Sequence, residues 1–527
     1  MGAVVYDAVL IGAGHNALTA GILLTKAGWR VGIFERGQDV GGAIRTAEWT
    51  LPGYRHDALA NTHVFILISP FYRQMRAELE KYGLKYLRFP VPLASVFPDG
   101  DAVCMHRDLE QTLGSLGKQS AADADGWRFL YDLYKRYQET FVALFSSPLP
   151  SVRALAGLIR PRLGLGPRGT VEFAQMLIMS AGDFAGRHFS TAKARAWFVP
   201  WALHPDHSPE TAGGGALSWI VLGTSQDPGA GLAIPEGGSG ALTAALASLL
   251  RSLGGEIHLG QEVVRILLRG RTAQGVELAG GTRVKANRAV VAGLAPTKLF
   301  LDLVGEGHLP GAFLELVRRY RYGLSVVKID YALDRAPAWI AGDEVGRAGN
   351  LHLASGVDSM SHAHNQALRG YLPDEPLLIV SQPTVLDPTR APPGKHTLWV
   401  VVRSVPHLVK GDSGGEIQPG PWDRIKDRFA DRVTGLLEGY APGFRASVLG
   451  RCVLSPDDLE RLNPNLVRGD VAAGSMLLDQ SYLFRPFPGW SRGQTPIRRL
   501  YLTGAATHPG LGISTNPGYI TARLLLR

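Results

Sequence analysis

The stretch VYDAVLIGAGHNALTAGILLTKAGWRVGIFE, residues 5–35, decides how this chain folds. Its apolar run at 5–11 predicts a buried strand, residues 15–28 predict a helix that ends at a glycine, and the run from Arg30 predicts a second strand. A strand, a helix and a second strand in this order form a βαβ unit, whose strands lie parallel. The sequence therefore predicts an α/β fold built on a parallel sheet.

The turn between the first strand and the helix fits the pattern G-x-G-x-x-[GA] at residues 12–17. Gly12 permits the tight turn, Gly14 lets backbone N–H groups approach a pyrophosphate, and Ala17 keeps the helix close to the strand. Glu35 ends the second strand 23 positions after Gly12 (35 minus 12). A carboxylate there accepts hydrogen bonds from ribose hydroxyls and repels a 2′-phosphate. We therefore predict an adenine-dinucleotide site rather than a purely structural turn, with the residues Gly12, Gly14, Asn16, Ala17 and Glu35.

A pair of adjacent glycines indicates that the bound dinucleotide is FAD and not NAD. Gly41 and Gly42, in DVGGAIRT at 39–46, follow Glu35 by six and seven residues (41 and 42 minus 35). A nicotinamide-binding domain does not require such a pair. The arrangement resembles the flavoprotein superfamily of FAD-dependent amine oxidases and phytoene (carotenoid) desaturases, in which the pair borders the flavin. The resemblance implies FAD as the cofactor.

Four later segments carry the same resemblance, so that it spans most of the chain. Within the superfamily, the motif sequences are most similar to the phytoene-desaturase-like branch, which includes the pyridine nucleotide-disulfide oxidoreductase domain-containing proteins. The segments are GLAIPEGGSGALTAAL at 231–246, GGEIHLGQEVVRI at 254–266, RPFPGWSRGQTPI at 485–497 and TPIRRLYLTGAATHPGLG at 495–512. The resemblance implies that Val263 offers its backbone to the adenine. It also implies that a loop and the start of the last helix close the FAD site, with the contacts Gly504, Ala505, Gly512 and Ile513.

Two positions depart from the family pattern. Where many relatives have arginine after the glycine pair, this chain has Ala43, so the cation on the phosphate side is expected from Arg36, Arg45 or elsewhere. Where many relatives have an acid after the terminal glycine, this chain has Ala505, which leaves only a backbone contact there.

The order of strand-like and helical segments along the chain predicts the domain organisation. A discontinuous Rossmann-type FAD-binding domain is predicted from residues 1–75, 226–300 and 491–527. The intervening residues 76–225 and 301–490 are predicted to form an inserted mixed α/β domain that binds the substrate.

The predicted activity follows from flavin chemistry. A flavin accepts a hydride at N5, so the protein needs no nucleophile of its own, and the sequence has no G-x-S-x-G or H-E-x-x-H motif. We expect dehydrogenation (desaturation) of a mostly apolar small molecule, with reoxidation by oxygen or a quinone. A flavin-dependent isomerase or saturase, an amine oxidase, and a flavin-binding interaction protein without turnover remain alternatives.

Two residues are candidates for catalysis. Lys328, in SVVKIDYALDRAPAW at 325–339, resembles the lysine that holds a water near N5 in amine oxidases, and a cation there would stabilise reduced flavin. A solvated lysine on a half-exposed strand is the alternative. His508, inside the closing motif, is a candidate proton shuttle or a donor to the flavin edge, and a role in shaping the loop is the alternative.

Two other segments carry polar residues without an assigned chemistry. FVPWALHPDHSPET at 198–211 contains His204, His207 and Glu210 without a convincing metal-ligand spacing, so we predict a loop over the substrate cavity and no metal. GYRHDALANTH at 53–63 is expected to follow the glycine pair towards the substrate, and its polar residues are His56, Asp57 and His63.

The charge is basic but dispersed. The chain has 55 Lys+Arg and 46 Asp+Glu, a net +9, without any basic block, so nucleic acid is not expected as a partner. The apolar segment 151–169 also carries Arg153, Arg160, Arg162 and Arg168, and it predicts either a contact with anionic lipid or an ordinary basic loop. Only Cys104 and Cys452 are present, which disfavours a disulfide framework. Without a leader or an eighteen-residue apolar run, we expect a cytoplasmic chain, with peripheral membrane contact and oligomeric state left open.

Overall fold

The computed structural model of the 527-residue chain describes residues 4–152, 166–510 and 512–527. The strands of these residues are β1 (Val4–Ile11), β2 (Val31–Phe34), β3 (Thr46–Ala47), β4 (His56–Asp57), β5 (Tyr86–Arg88), β6 (Val91–Val96), β7 (Ala102–Met105), β8 (Ala233–Pro235), β9 (Glu256–His258), β10 (Val263–Arg269), β11 (Thr272–Leu278), β12 (Arg283–Ala292), β13 (Ser325–Leu333), β14 (Ala348–Leu353), β15 (Tyr371–Leu372), β16 (Leu378–Ser381), β17 (His396–Val405), β18 (Gly411–Asp412), β19 (Val448–Leu454) and β20 (Leu500–Leu502).

The α-helices of the described residues are α1 (His15–Lys26), α2 (Pro70–Lys81), α3 (Leu109–Gly117), α4 (Ala121–Phe145), α5 (Gly166–Ile178), α6 (Ala181–His188), α7 (Ala192–Phe198), α8 (Pro200–Leu203), α9 (Gly214–Gln226), α10 (Gly240–Ser252), α11 (Gly311–Arg318), α12 (Asp343–Gly346), α13 (Val357–Leu368), α14 (Trp422–Tyr440), α15 (Phe444–Ser447), α16 (Pro456–Leu462) and α17 (Asn516–Leu525). A π-helical turn covers Lys298–Val304.

The first sheet is built around the βαβ unit that the sequence predicted. Its strand order is β10-β11-β12-β1-β2-β9, and β20 pairs with the carboxyl end of β12. β1 lies parallel to both β2 and β12, and β20 lies parallel to β12. The parallel arrangement places the carboxyl ends of these four strands at one edge, which confirms the predicted α/β class.

Both faces of β1 are buried, which explains its continuous apolar run. Ala8 and Leu10 pack in one cluster with side chains of α1, α10 and α17. Val9 and Ile11 pack in a second cluster with β11, β12 and the π-helical turn. The first and last α-helices of the described chain therefore cover the same face of the sheet.

The second sheet has the order β19-β13-β17-β16-β14-β6-β7 and is antiparallel except between β14 and β6. Val327 and Ile329 of β13 pack with Phe429 and Val433 of α14 on one face. The other face carries polar side chains. Over β6, β7 and β16 it lies under a group of helices, α4, α6, α7, α8 and α9, that we call the helical layer. Over β13 it packs against α16 and the loop after that helix. The strands of the first sheet lie in the segments predicted for the FAD-binding domain, and those of the second sheet lie in the segments predicted for the substrate-binding domain. The two binding roles stay a prediction.

The predicted lipid-contacting segment, 151–169, lies mostly outside the described residues. Of its arginines, Arg168 is described, and it is exposed and paired with Glu172 at 3.0 Å. Within the described ranges, no helix has the length and apolar character needed to cross a bilayer. Cys104 and Cys452 are both free thiols.

Candidate cofactor site

A cavity of about 560 Å³ opens where the parallel strands of the first sheet end. Gly12, Glu35, Gly293 and Thr503, which directly follow β1, β2, β12 and β20, all line it. In open α/β sheets, ligands bind at the carboxyl ends of the strands. The topology therefore defines this cavity as a ligand site before any side chain is considered.

The Gly-rich turn and the glycine pair are in direct contact. The Gly41 N–H donates to the Ala13 carbonyl at 2.9 Å. Gly41 has a φ of +121°, and a Cβ added to it would lie 2.4 Å from the Ile44 carbonyl oxygen, so the turn itself requires glycine. The pair therefore forms part of the wall beside the Gly-rich turn.

Gly14 differs from Gly41, because neither its backbone conformation nor its packing within the protein requires glycine. It caps α1 with an ordinary φ of −70°, and a Cβ added to it would meet nothing within 4 Å. That added atom would enter the cavity beside the amino terminus of α1, where backbone N–H groups favour an anion. The cradle therefore fits the pyrophosphate of FAD.

Glu35 is held in place by two backbone donors. Its Oε2 accepts from the Ala13 N–H and its Oε1 from the Gly37 N–H, both at 2.8 Å. Each carboxylate oxygen has more than one acceptor site, so these bonds orient the group and leave it able to accept from ribose hydroxyls. The two candidate arginines differ: Arg36 is exposed at the rim, and Arg45 pairs with Asp39 at 3.1 Å.

The structure brings most of the predicted FAD contacts together around this cavity, although their contacts with FAD stay predictions. The predicted residues that line it are Gly12, Gly14, Asn16, Ala17, Glu35, Arg36, Gly41, Gly42, Arg45, Val263, Gly504 and Ala505. Gly512 and Ile513 are not in this lining: Gly512 lies against Phe65, and Ile513 packs in the core with α1 and α10.

Several residues that line the cavity were not predicted from the sequence. Asn465, in the loop after α16, donates from Nδ2 to the Gly293 carbonyl at 3.2 Å and accepts the Ala295 N–H at 2.8 Å. These bonds join residues 172 and 170 positions apart, so no short motif connects them. The adjacent Asn463 and Lys298 also line the cavity. The sequence around this contact shows only an Asn-Pro-Asn turn at 463–465 and a glycine, Gly293, after an apolar strand, and neither pattern by itself predicts a cofactor contact.

Arg485 supports the closing loop from behind the cavity wall. It is fully buried, and its Nε and Nη2 donate to the Ala505 carbonyl at 3.0 and 2.6 Å. Its other donors reach the carbonyls of Ala472, at 2.7 Å, and Ser475, at 2.9 Å. The guanidinium therefore connects the loop after Asp470 to a residue that lines the cavity.

Lys328 lies in a buried charge cluster. The alternative of a solvated lysine on a half-exposed strand is wrong, because residues 49–59, α16 and the loop after it cover this face of β13, and Lys328 is fully buried. Its Nζ bonds to Asp330, whose other oxygen lies 3.3 Å from Nδ1 of His56. Burial opposes the charge of Asp330, but Lys328 and His56 keep its pKa below the ordinary value. Lys328 is not among the cavity-lining residues, so its catalytic role stays a prediction.

We expect Lys328→Met to destabilise the protein by about 3 kcal/mol, because it leaves the Asp330 carboxylate buried without its main counter-charge. The double variant Lys328→Met/Asp330→Leu should recover most of that loss, since a buried pair and an apolar pair of similar volume are often equally stable. The free energy of unfolding in urea measures both. The lowered pKa of Asp330 implies that the stabilisation is present at neutral pH and is lost under acid conditions, as the pH falls through that pKa.

The matched control is Lys395, a partly exposed lysine whose partner Asp334 follows β13 directly. Lys395→Met should change stability little, because exposed ion pairs contribute little. If Lys328→Met unfolds like the wild type, the buried pair is not a structural element of this fold.

His508 contacts the helical layer. Its Nε2–H donates to the Leu144 carbonyl, at the end of α4, at 3.0 Å. Burial lowers its pKa to about 4, so the ring is neutral at pH 7. His508 is not among the cavity-lining residues, and its role as a proton shuttle stays a prediction.

A parallel sheet with a Gly-rich turn, a glycine pair and a final loop around one cavity is the arrangement of FAD-binding oxidoreductases. Within that class, the chain belongs to the family described as flavin containing amine oxidoreductase, whose model matches residues 18–523. The resemblance predicted from the motifs is therefore confirmed, and the chain is an FAD-dependent oxidoreductase.

Individual relatives agree with this assignment. Pyridine nucleotide-disulfide oxidoreductase domain-containing protein 2 of Rattus norvegicus is 31% identical, with 99% of this chain and 93% of that protein covered. A limonene dehydrogenase polypeptide of Castellaniella defragrans is 27% identical, with 98% of this chain and 94% of that protein covered. An oxidoreductase structure from Methanosarcina mazei has the same fold, with a TM-score of 0.60 and 19% identity over 98% of this chain and 99% of that one.

Proposed function

We propose that this protein dehydrogenates a carbon–carbon bond of a mostly apolar small molecule. The observation that carries the proposal is the cavity at the strand ends, where the Gly14 cradle, Glu35 and the closing loop can hold FAD. Bound flavin would supply a two-electron acceptor for hydride. The similarity to a limonene dehydrogenase polypeptide supports an apolar substrate, because limonene is a hydrocarbon.

The chain's own residues would bind the cofactor, orient the substrate and exclude water. The turn at Gly12 and Gly14 and the amino terminus of α1 would hold the pyrophosphate, and Glu35 the ribose. The helical layer supplies an apolar and aromatic cover over the second sheet, which suits the exclusion of water from a hydrocarbon substrate. No nucleophilic side chain is needed in this scheme.

The first test is cofactor content and electron flow. The purified protein should be yellow, and FAD at about 100 times its Kd should stabilise it by about 2.7 kcal/mol. Under anaerobic conditions a substrate should bleach the flavin, and oxygen or a quinone should restore its colour. A colourless protein that FAD does not stabilise would contradict the proposal.

The remaining alternatives give different results in the same experiment. An isomerase or saturase would turn over without net consumption of an acceptor. An amine oxidase, which the family description favours as the second candidate, would bleach with amines and release the corresponding carbonyl product. A flavin-binding interaction protein would keep its colour with every substrate tested.

A further inference from the structure

A polar cluster lies between the second sheet and the helical layer, apart from the residues that line the FAD cavity. On β14, Leu351 and Leu353 face α14, so Asn350 and His352 face the helical layer. Ser95 of β6 is the direct neighbour of His352 in the parallel β6–β14 pair and shares its face. Trp201 of α8 closes the cluster from above.

The rings in this cluster are in close contact. Trp201 stacks on His204, with ring centroids 4.7 Å apart, and meets His352 edge to face at 4.8 Å. Nε2 of His204 lies 2.9 Å from Nε2 of His352, so one ring donates and the other accepts. The histidine that the sequence placed in a loop over the substrate cavity therefore pairs with a strand residue 148 positions away.

Three polar atoms of the cluster are buried without a hydrogen-bond partner among the described residues. They are Nδ1 of His352, Nε1 of Trp201 and Oγ of Ser95, on side chains that are 2%, 3% and 2% exposed. An indole N–H can only donate, and a hydroxyl donates as readily as it accepts. Because buried polar atoms are normally paired, this group is suited to an acceptor atom that the chain does not supply.

The two imidazoles of the cluster are uncharged. Burial lowers the pKa of His352 to about 3 and that of His204 well below its ordinary value, so both rings are neutral at pH 7. Across the described residues, no carboxylate is hydrogen-bonded to or ion-paired with Trp201, His204 or His352. The nearest charged group is the cation Arg403, which donates to the backbone carbonyls of Leu203 and His204. Neutral donors beside a cation suit an oxygen acceptor and do not suit an ammonium group.

We propose that Trp201, Ser95 and His352 bind the carbonyl oxygen of a substrate that is otherwise apolar. A carbonyl oxygen accepts two hydrogen bonds, which the indole N–H and the serine hydroxyl can donate, and His352 can supply a third as its Nδ1–H tautomer. Leu93, Ile379 and other apolar side chains around the cluster suit the hydrocarbon part. The inference rests on the proposed function and narrows its substrate class to apolar ketones and aldehydes.

Limonene and carvone are suitable probes, because they share a carbon skeleton and differ chiefly by one carbonyl group. We expect carvone to bind the purified wild-type protein about tenfold more tightly than limonene in isothermal titration, since its carbonyl oxygen satisfies buried donors that limonene leaves unpaired. In Trp201→Phe/Ser95→Ala, the two affinities should become nearly equal, and the loss should fall on carvone alone. Ser95→Ala by itself, which changes one atom, should give about half the loss in free energy.

The control is Trp197→Phe, which removes an equally buried and unpaired indole N–H of the same layer from a ring that packs on Trp127 and Phe189 instead. It should leave the carvone preference intact. Equal affinities in the wild type, an undiminished preference in the double variant, or no measurable binding of either probe would overturn the inference. Titration heat does not depend on flavin, so a colourless protein with this carvone preference would overturn the proposed function alone.

Discussion

Gly14→Val is expected to weaken FAD binding about a hundredfold while lowering the stability of the apoprotein by only about 1 kcal/mol. The small loss is that of a poorer helix cap, because an added Cβ at this position meets no atom of the protein within 4 Å. The large loss arises because the new side chain would occupy the space in which a pyrophosphate approaches the backbone. Absorbance of the retained flavin and thermal unfolding of the apoprotein measure the two effects separately.

Gly356 offers a matched control for this substitution. It also caps a helix, α13, and a Cβ added to it likewise meets nothing within 4 Å, but it does not line the cavity. Gly356→Val should therefore cost a similar amount of stability and retain FAD at the wild-type level. If Gly14→Val binds FAD as well as Gly356→Val does, the Gly-rich turn does not hold the pyrophosphate.

The sequence predicted those parts of the cavity whose chemistry is contained in a few consecutive residues. A tight turn, a capped helix and an acid at a strand end need short spacings, so Gly12, Gly14 and Glu35 were recognisable without a structure. The glycine pair and the closing loop were recognisable through the family resemblance. The structure gathers these segments around one cavity because their strands are parallel neighbours in one sheet.

Other features depend on contacts between distant segments and have no local pattern. Asn465 lines the cavity because its side chain binds the backbone at the end of β12, and neither segment contains a motif for that contact. For Lys328, the alternation along β13 correctly separated it from Val327 and Ile329. It could not indicate that residues 49–59, α16 and the loop after it bury the second face of β13, because these covering residues lie far away in the chain.

Arg485→Met is expected to destabilise the protein by about 5 kcal/mol and to abolish FAD retention. The guanidinium is fully buried, and it satisfies carbonyl groups that would otherwise be buried without donors. Each such loss costs about 1–3 kcal/mol, and methionine replaces none of the five N–H groups. FAD retention should fail because the Ala505 carbonyl, on the cavity wall, loses both donors that position it.

Arg485→Lys and Arg492→Met distinguish this explanation from a general effect of charge. Lysine keeps the charge but has a compact ammonium instead of a fork of donors, so it should recover only part of the stability and of the FAD content. Arg492 lies seven residues further on and is exposed, and among the described residues it donates to one carbonyl, that of Pro150, so its loss should change little. Urea unfolding and flavin content of the three variants give the comparison. Full rescue by lysine would mean that the charge alone matters. Wild-type behaviour of Arg485→Met would mean that the closing loop is positioned without this residue.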